Sequence, residues 1–257
     1  MNRRLGYISC GVLLAVMLLG SPGHAQEPAA AAPGSINLSL GDMDGAARLD
    51  VAVEIVLLMT LLSLAPALLI LLTSFTRIII VLGFLRQAMG THQMPSNQIL
   101  IGLALFLTFV VMGPVFQQIN TEAIQPYLAE ELSQQEALAK AKEPLQTFML
   151  GQVREKDVAL FLDLTNQEAP AEPADLPLLI VIPSFVLGEL KMAFQIGFVL
   201  FLPFLIIDMV VASVLMSMGM MMLPPVLISL PFKVLLFVLV DGWYLIVRSL
   251  VMAFQNG

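Results

Sequence analysis

Six charged side chains lie in the otherwise apolar C-terminal third of the chain: Glu189, Lys191, Asp208, Lys233, Asp241 and Arg248. Three are negative and three positive. An unpaired charge at the centre of a bilayer costs about 2.5–3.5 kcal/mol on insertion scales, so such residues pair with one another or face water. Glu189 and Lys191 are two apart and point to different faces of one helix, so they do not satisfy each other. Their partners must come from elsewhere, and Lys233 and Asp208 are the nearest in character. Ion pairs between subunits fit this best and imply an oligomer. Snorkelling near helix ends is the plainer reading, chiefly for Arg248 and Asp241.

The second constellation is Met216-Ser217-Met218-Gly219-Met220-Met221-Met222-Leu223-Pro224-Pro225, where five of seven residues from Met216 to Met222 are methionine. Thioether side chains are unbranched and re-pack around varied shapes. Gly219 loosens the backbone, and Pro224-Pro225 stops the helix. In a ring of subunits such a loop makes a soft plug that seals against ions yet yields to an unfolded chain. Ordinary lipid-facing filler is the competing account of the same residues. Catalytic motifs are missing: there is no Gly-x-Ser-x-Gly, His-Glu-x-x-His, phosphate loop or Gly-x-Gly-x-x-Gly. Asp208 alone could relay protons, but an intramembrane enzyme needs a second aspartate in register, and Asp241 beside Gly242 is a poor one. The single cysteine, Cys10, and two histidines, His24 and His92, argue against a metal site or an internal disulfide. No cofactor is expected.

The elements that carry these residues are set by composition. Of 257 residues, 58% are hydrophobic and 12% charged, with a mean hydropathy of +0.91. Soluble domains are about a quarter charged, so the expectation is an all-α membrane-type fold of helical hairpins with kinked or broken helices. A pI near 4.7 excludes an ordinary basic nucleic-acid binder.

Arg3 and Arg4, an apolar run from Leu5 to Gly20, and the small residues Gly23 and Ala25 form a signal-peptide pattern over 1–25, with cleavage after Ala25. A retained first helix is the alternative, though the run is short for spanning. Residues 26–50 then form a flexible extracytoplasmic N-terminus. Residues 51–116 hold two apolar segments, Ile55–Thr76 and Ile99–Phe116, as a first hairpin; Pro66 should kink the first, which is long or breaks near Arg77. Residues 117–177 form an acidic helical insert. It carries eleven acidic and four basic side chains, a difference of −7 that equals the charge of the whole chain. Pro144 is expected to begin a helix there. Residues 178–257 form the second hairpin, with breaks expected at Pro203, Pro224 and Pro225, and Pro183 and Pro231 also interrupting. Arg77 and Arg86 mark the inner side by the positive-inside rule, which puts the acidic insert outside and gives four passes. Arg248 conflicts mildly with that orientation.

Four stretches resemble one known family. Pro183-Ser184-Phe185-Val186-Leu187-Gly188-Glu189-Leu190-Lys191-Met192-Ala193-Phe194 and Asp208–Met220 are similar to two signatures of the FliP/SctR family of type III secretion export-gate proteins. Leu230-Pro231-Phe232-Lys233 and Asp241-Gly242-Trp243 match as well. The resemblance runs from about Val51 to the C-terminus. Gly188 departs from it, because relatives often carry Ser or Thr before the glutamate. The resemblance implies a pore-forming core subunit of the flagellar export gate, passing unfolded flagellar subunits across the bacterial inner membrane within the basal body. It implies five copies assembled with FliQ and FliR into a cone-shaped helical pore, working with FlhA and FlhB, with the acidic insert on the periplasmic side. It places Met220, Met221 and Met222 in a pore gasket, with Met216, Met218 and Gly219 adjoining, and Glu189 and Lys233 among inter-subunit charges. A virulence-associated secretion homologue is the near rival within the family, and the signal peptide favours flagella. A small-solute or ion transporter is a further alternative, but no internal repeat supports it.

Overall fold

The computed structural model describes residues 45–91, 94–220 and 222–255. The signal-peptide reading with its cleavage after Ala25, Cys10, His24, His92 and the side chain of Met221 lie outside the described residues. Every described element is helical: α1 (Gly45–Leu72), α2 (Phe75–Met89), α3 (Asn97–Ile119), α4 (Gln125–Leu128), α5 (Gln134–Gln152), α6 (Glu155–Leu164), α7 (Leu178–Ser217), α8 (Pro225–Leu239) and α9 (Gly242–Gln255). A π-helical turn, Asn120–Ile124, joins α3 to α4, and a 3₁₀ turn covers Pro173–Asp175. The chain divides into units Met1–Val56 and Leu57–Gly257, and all that follows concerns the second.

The axis of this unit is α7. Glu189, Ala193, Gly197, Leu200, Phe204, Asp208, Val211 and Leu215 recur at spacings of four and three, and form one buried or half-buried stripe. That periodicity is what a helix face needs to meet a neighbour. The neighbour is α2, whose Ile78, Val81, Leu82, Leu85 and Ala88 are fully buried with Ala193 and Phe204 in the main apolar core. The segment between the first two apolar runs, expected to connect them, is therefore the most buried helix. The break falls at Thr73-Ser74, just before Arg77, where the helix axis bends by 82°. Two hydroxyls make the bend tolerable: Thr73 Oγ1 donates to Leu69 O, and Thr76 Oγ1 to Ile70 O at 2.7 Å. They take carbonyls that the interrupted ladder leaves free.

Four proline expectations are corrected. Helix α7 runs unbroken for 40 residues through Pro183 and Pro203, α8 runs through Pro231, and Pro144 lies inside α5 instead of opening a helix. At Pro203 the ring sits on the exposed side, while Phe204 next to it is anchored in the core against Phe237. Packing of that stripe outweighs the one backbone bond the proline removes. Pro224 and Pro225 open α8, as its N-cap and first residue, whereas α7 has already ended at Ser217. Pro66, expected to kink the first helix, lies inside α1.

Helices α3–α4, continuous over Asn97–Leu128, and α7 are each long and apolar enough to cross a membrane, and the bent pairs α1–α2 and α8–α9 bring the number to four if each is one span. At 1.5 Å per residue, α7 is about 60 Å long, roughly twice a bilayer core. The acidic insert packs on the first part of α7 through a second apolar cluster of Met149, Leu162, Leu176, Ile180, Val181 and Phe185.

Two expected outcomes follow from local geometry. A Cβ at Gly197 would lie 2.4 Å from the Phe84 ring, so α2 and α7 touch there only because the side chain is hydrogen. Gly197→Ala should destabilise the fold by about 1–3 kcal/mol, read as a lowered detergent melting temperature. In the insert, Ser133 and Glu136 form a reciprocal capping box on α5. The Ser133 backbone N–H, then its hydroxyl, hold the Glu136 carboxyl below the usual glutamate range. A depressed value means that the cap's support is complete above the ordinary glutamate pKa and fades as pH falls through the lowered one. Amide exchange at the start of α5 should quicken over that acid window, and Glu136→Gln should flatten the dependence.

Candidate functional site

Three charges of the C-terminal region, Glu189, Asp208 and Lys233, fall into two intramolecular clamps. In the first, Arg77 near the start of α2 meets Glu189 on α7, and both are fully buried. Arg77 Nε donates to Glu189 Oε2 at 2.9 Å and Nη2 donates to Oε1. Nη2 also donates to Gln152 Oε1 at 3.1 Å, and Gln152 Nε2 donates to Phe254 O at 3.4 Å. The guanidinium lies 3.9 Å from the centroid of the Phe254 ring. Four helices, α2, α5, α7 and α9, thus converge on one planar cation, which only arginine serves in this bidentate way. The expectation that Glu189 looks to Lys233 or Asp208 is corrected by this geometry: Arg77 takes both its oxygens. Arg77 was read as a loop cation; the signal that marks it is the same one applied to Glu189, a lone charge flanked by apolar helix on both sides.

In the second clamp, Lys233 on α8 is buried and its Nζ donates to Asp208 Oδ2 on α7 at 2.6 Å and to Ala88 O at the end of α2 at 3.2 Å. Ser229 Oγ, one turn before Lys233, donates to the other Asp208 oxygen. The C-terminal carbonyls of α2 suit a cation, and Gly90, at φ 74°, caps that end close to Lys233. Asp208 is paired with a cation and a hydroxyl, not with a second carboxylate, which leaves it no dyad for hydrolysis. Lys191 joins neither clamp; it is exposed beside Lys156 and Arg154, next to the buried Asp157 that Arg154 binds at 2.7 Å. Gly188 faces that carboxylate: a Cβ there would sit 3.8 Å from Asp157 Oδ2, ordinary contact distance.

Asp241 and Gly242 make the 63° corner between α8 and α9. Asp241 adopts φ 51°, a region short polar residues tolerate, and a Cβ at Gly242 would meet the Phe237 ring at 2.2 Å. Trp243 packs edge-on against the same ring at 5.4 Å. Arg248 lies over Tyr244, 6.0 Å from its ring centroid.

Above the second clamp, α7 ends in the methionine run. Gly219 takes φ 76°, its N–H bonds Met216 O at 3.1 Å, and the Met220 N–H bonds Leu215 O at 2.9 Å. This pair of bonds is a Schellman turn, so the end of α7 is capped by its own backbone. Met216, Met218, Met220 and Met222 are all exposed, Met222 to 97%. The turn bridges two helices that Asp208, Ser229 and Lys233 hold together, so its base is fixed while its thioethers project. Among the described residues, no three His, Cys, Asp or Glu side chains gather as a metal site would require.

A family model described as the FliP family matches residues 58–250. The chain belongs to that family. It is 59% identical over 202 residues to the flagellar biosynthetic protein FliP of Bacillus subtilis (strain 168), covering 79% of this chain and 91% of that protein. It is 51% identical over 243 residues to the FliP of Caulobacter vibrioides, covering 94% and 91%, and 48% identical over 213 residues to that of Aquifex aeolicus, covering 82% and 89%. The FliP match takes in Arg77, Glu189, Asp208, Ser229, Lys233 and the methionine turn. With its apolar helices of spanning length, this FliP-family chain is a membrane protein.

Removing one member of the first clamp leaves a buried charge without a partner. Arg77→Ala should cost about 3–5 kcal/mol, whereas the double change Arg77→Met with Glu189→Leu should restore much of it. Thermal unfolding of the purified variants in detergent checks both.

Proposed function

We propose that this chain is a pore-forming subunit of the flagellar type III protein export gate in the bacterial inner membrane, passing unfolded flagellar subunits. The observation that carries the reading is the exposed methionine turn on a fixed base. A seal against ions that must open for a polypeptide needs side chains that re-pack without changing the backbone, and thioethers on a turn capped by its own backbone provide that. The chain holds no nucleotide-binding motif, so energy comes from elsewhere in the apparatus. Several copies, five by resemblance, surround the lumen with FliQ and FliR, next to FlhA and FlhB, and the acidic insert lies on the periplasmic side. The exposed apolar side chains of α7, among them Phe194, Phe198, Val199, Met209 and Val210, supply surface for such neighbours. Glu189 and Lys233 are occupied within the chain, so Lys191 is the charge of the expected set that remains for contact with another copy. The flagellar names of the relatives favour this pathway over virulence secretion.

Replacing Met220, Met221 and Met222 with Ala should raise ion leakage through vesicles carrying the assembled complex, without loss of the complex itself. Unchanged leakage in an intact complex would sink the plug.

A further inference from the structure

Two of the four cations of the acidic insert share a corner with a third from α7. Arg154 is the N-cap of α6 and Lys156 lies in its first turn. Lys191 follows by one turn the Gly188 that faces Asp157. Arg154 spends the buried carboxylate of this corner: its Nε and Nη2 lie 2.8 and 2.7 Å from Asp157 Oδ2. Lys156 and Lys191, both exposed, are left with each other, and their side chains meet. Among the described residues, neither has a carboxylate of this chain within ion-pair reach. Glu155, also exposed, stands next to Lys156 in the chain and pairs with neither. Two ammonium groups in contact repel, so the corner calls for an anion from outside the chain.

The opposite sign gathers at the far end of α6. Glu168, Glu172 and Asp175 lie between α6 and α7, all exposed and none in a described ion pair. That segment is pinned at both ends. The Gln167 N–H bonds Leu162 O at 3.0 Å, and Gln146 Nε2 donates to Ala174 O and Leu176 O, both at 2.9 Å. Two helices hold the patches apart: α6, with its 10 residues, is about 15 Å long, and α7 rises about 20 Å from Leu178 to Lys191. A chain therefore cannot fill its own basic corner. Its acidic patch stands to that corner as tail to head, the form of contact that joins identical subunits into a ring. We propose that Lys156 and Lys191 form a socket for a second copy of this chain, which fills it with the carboxylates of Glu168, Glu172 and Asp175. The proposal rests on the several-copy reading given above and names a surface by which the copies join. Arg154 keeps Asp157 from neutralising the socket from within.

The test uses the full chain, expressed with its partner subunits and extracted from membranes in detergent. Lys156→Glu with Lys191→Glu should lower the yield of the several-copy complex about tenfold, because like charges then face each other across the contact. Adding Glu168→Lys, Glu172→Lys and Asp175→Lys to the same chain should restore it. A cysteine pair reads the contact directly. In a Cys10→Ser background, Lys191→Cys with Glu172→Cys should give a ladder of linked copies on oxidation, and neither single change should. Undiminished assembly of the reversed chain would overturn the proposal, as would an intact complex in which no ladder forms. Loss of bound anionic phospholipid from the reversed chain, read by native mass spectrometry with assembly unchanged, would assign the corner to lipid and overturn it too. In each of these cases a native chain that still purifies in several copies leaves the pore reading standing and only the socket fails. A native chain that purifies singly sinks both.

Discussion

The burial of Arg77 against Glu189 is the constraint from which the arrangement of the unit follows. Withdrawing each ion from water costs several kcal/mol even after relaxation, and only near-ideal geometry offsets that. Here the guanidinium has two carboxylate oxygens, the Gln152 amide and the face of Phe254. None of these groups can shift by much without stranding a charge. The register of α2 along α7 is thereby fixed at one end. The close approach of Gly197 to Phe84 fixes it two turns further on, and Lys233 with Ala88 O fixes it at the other end. Between those points the contact is plain aliphatic packing, which alone would tolerate sliding.

This arrangement explains which parts of the fold were legible in the sequence. Apolar length and charge contrast were enough for an all-helical membrane protein, for an acidic insert rich in helix formers, and for a turn at Met218–Pro225, because each depends on local composition. Proline was misread because its cost is local while its tolerance is not. Pro203 survives inside α7 because Phe204 is held by Phe237 from another helix, and no window around residue 203 contains that fact. Arg77 was misplaced for the same reason. Its partner lies 112 residues away, so its own neighbourhood showed only a cation between two apolar runs. A rule applied evenly, that every charge amid apolar helix must be paired, would have put Arg77 with Lys233 among the cations that Glu189 and Asp208 need, though only the packing of α2 and α8 on α7 decides which takes which.

The two clamps also separate what is rigid from what is free. Among the described residues, the buried charges Arg77, Asp157, Glu189 and Lys233 each have an opposite charge within the chain. The outward side chains of α3 and α7 are a different matter: Phe106, Phe109, Phe198, Ile206 and Met209 are exposed hydrocarbon in a single chain. Water is a poor surrounding for them, and either lipid or neighbouring protein must cover them. Polar pairs inside with apolar faces outside is the inverse of a soluble bundle, and it lets one chain fold to a defined shape before its outer surface is satisfied.

The methionine turn sits where those two regimes meet. Its base inherits the precision of Asp208, Ser229 and Lys233, while its side chains inherit nothing, because the Schellman bonds already cap α7 and thioethers demand no partner. Had the turn carried serine or asparagine, its side chains would have competed for the backbone groups at the end of α7 and stiffened in one geometry. Had it carried β-branched residues, each would have been confined in χ1. Methionine avoids both, so the position of the turn is set by distant charges and its surface is left adaptable.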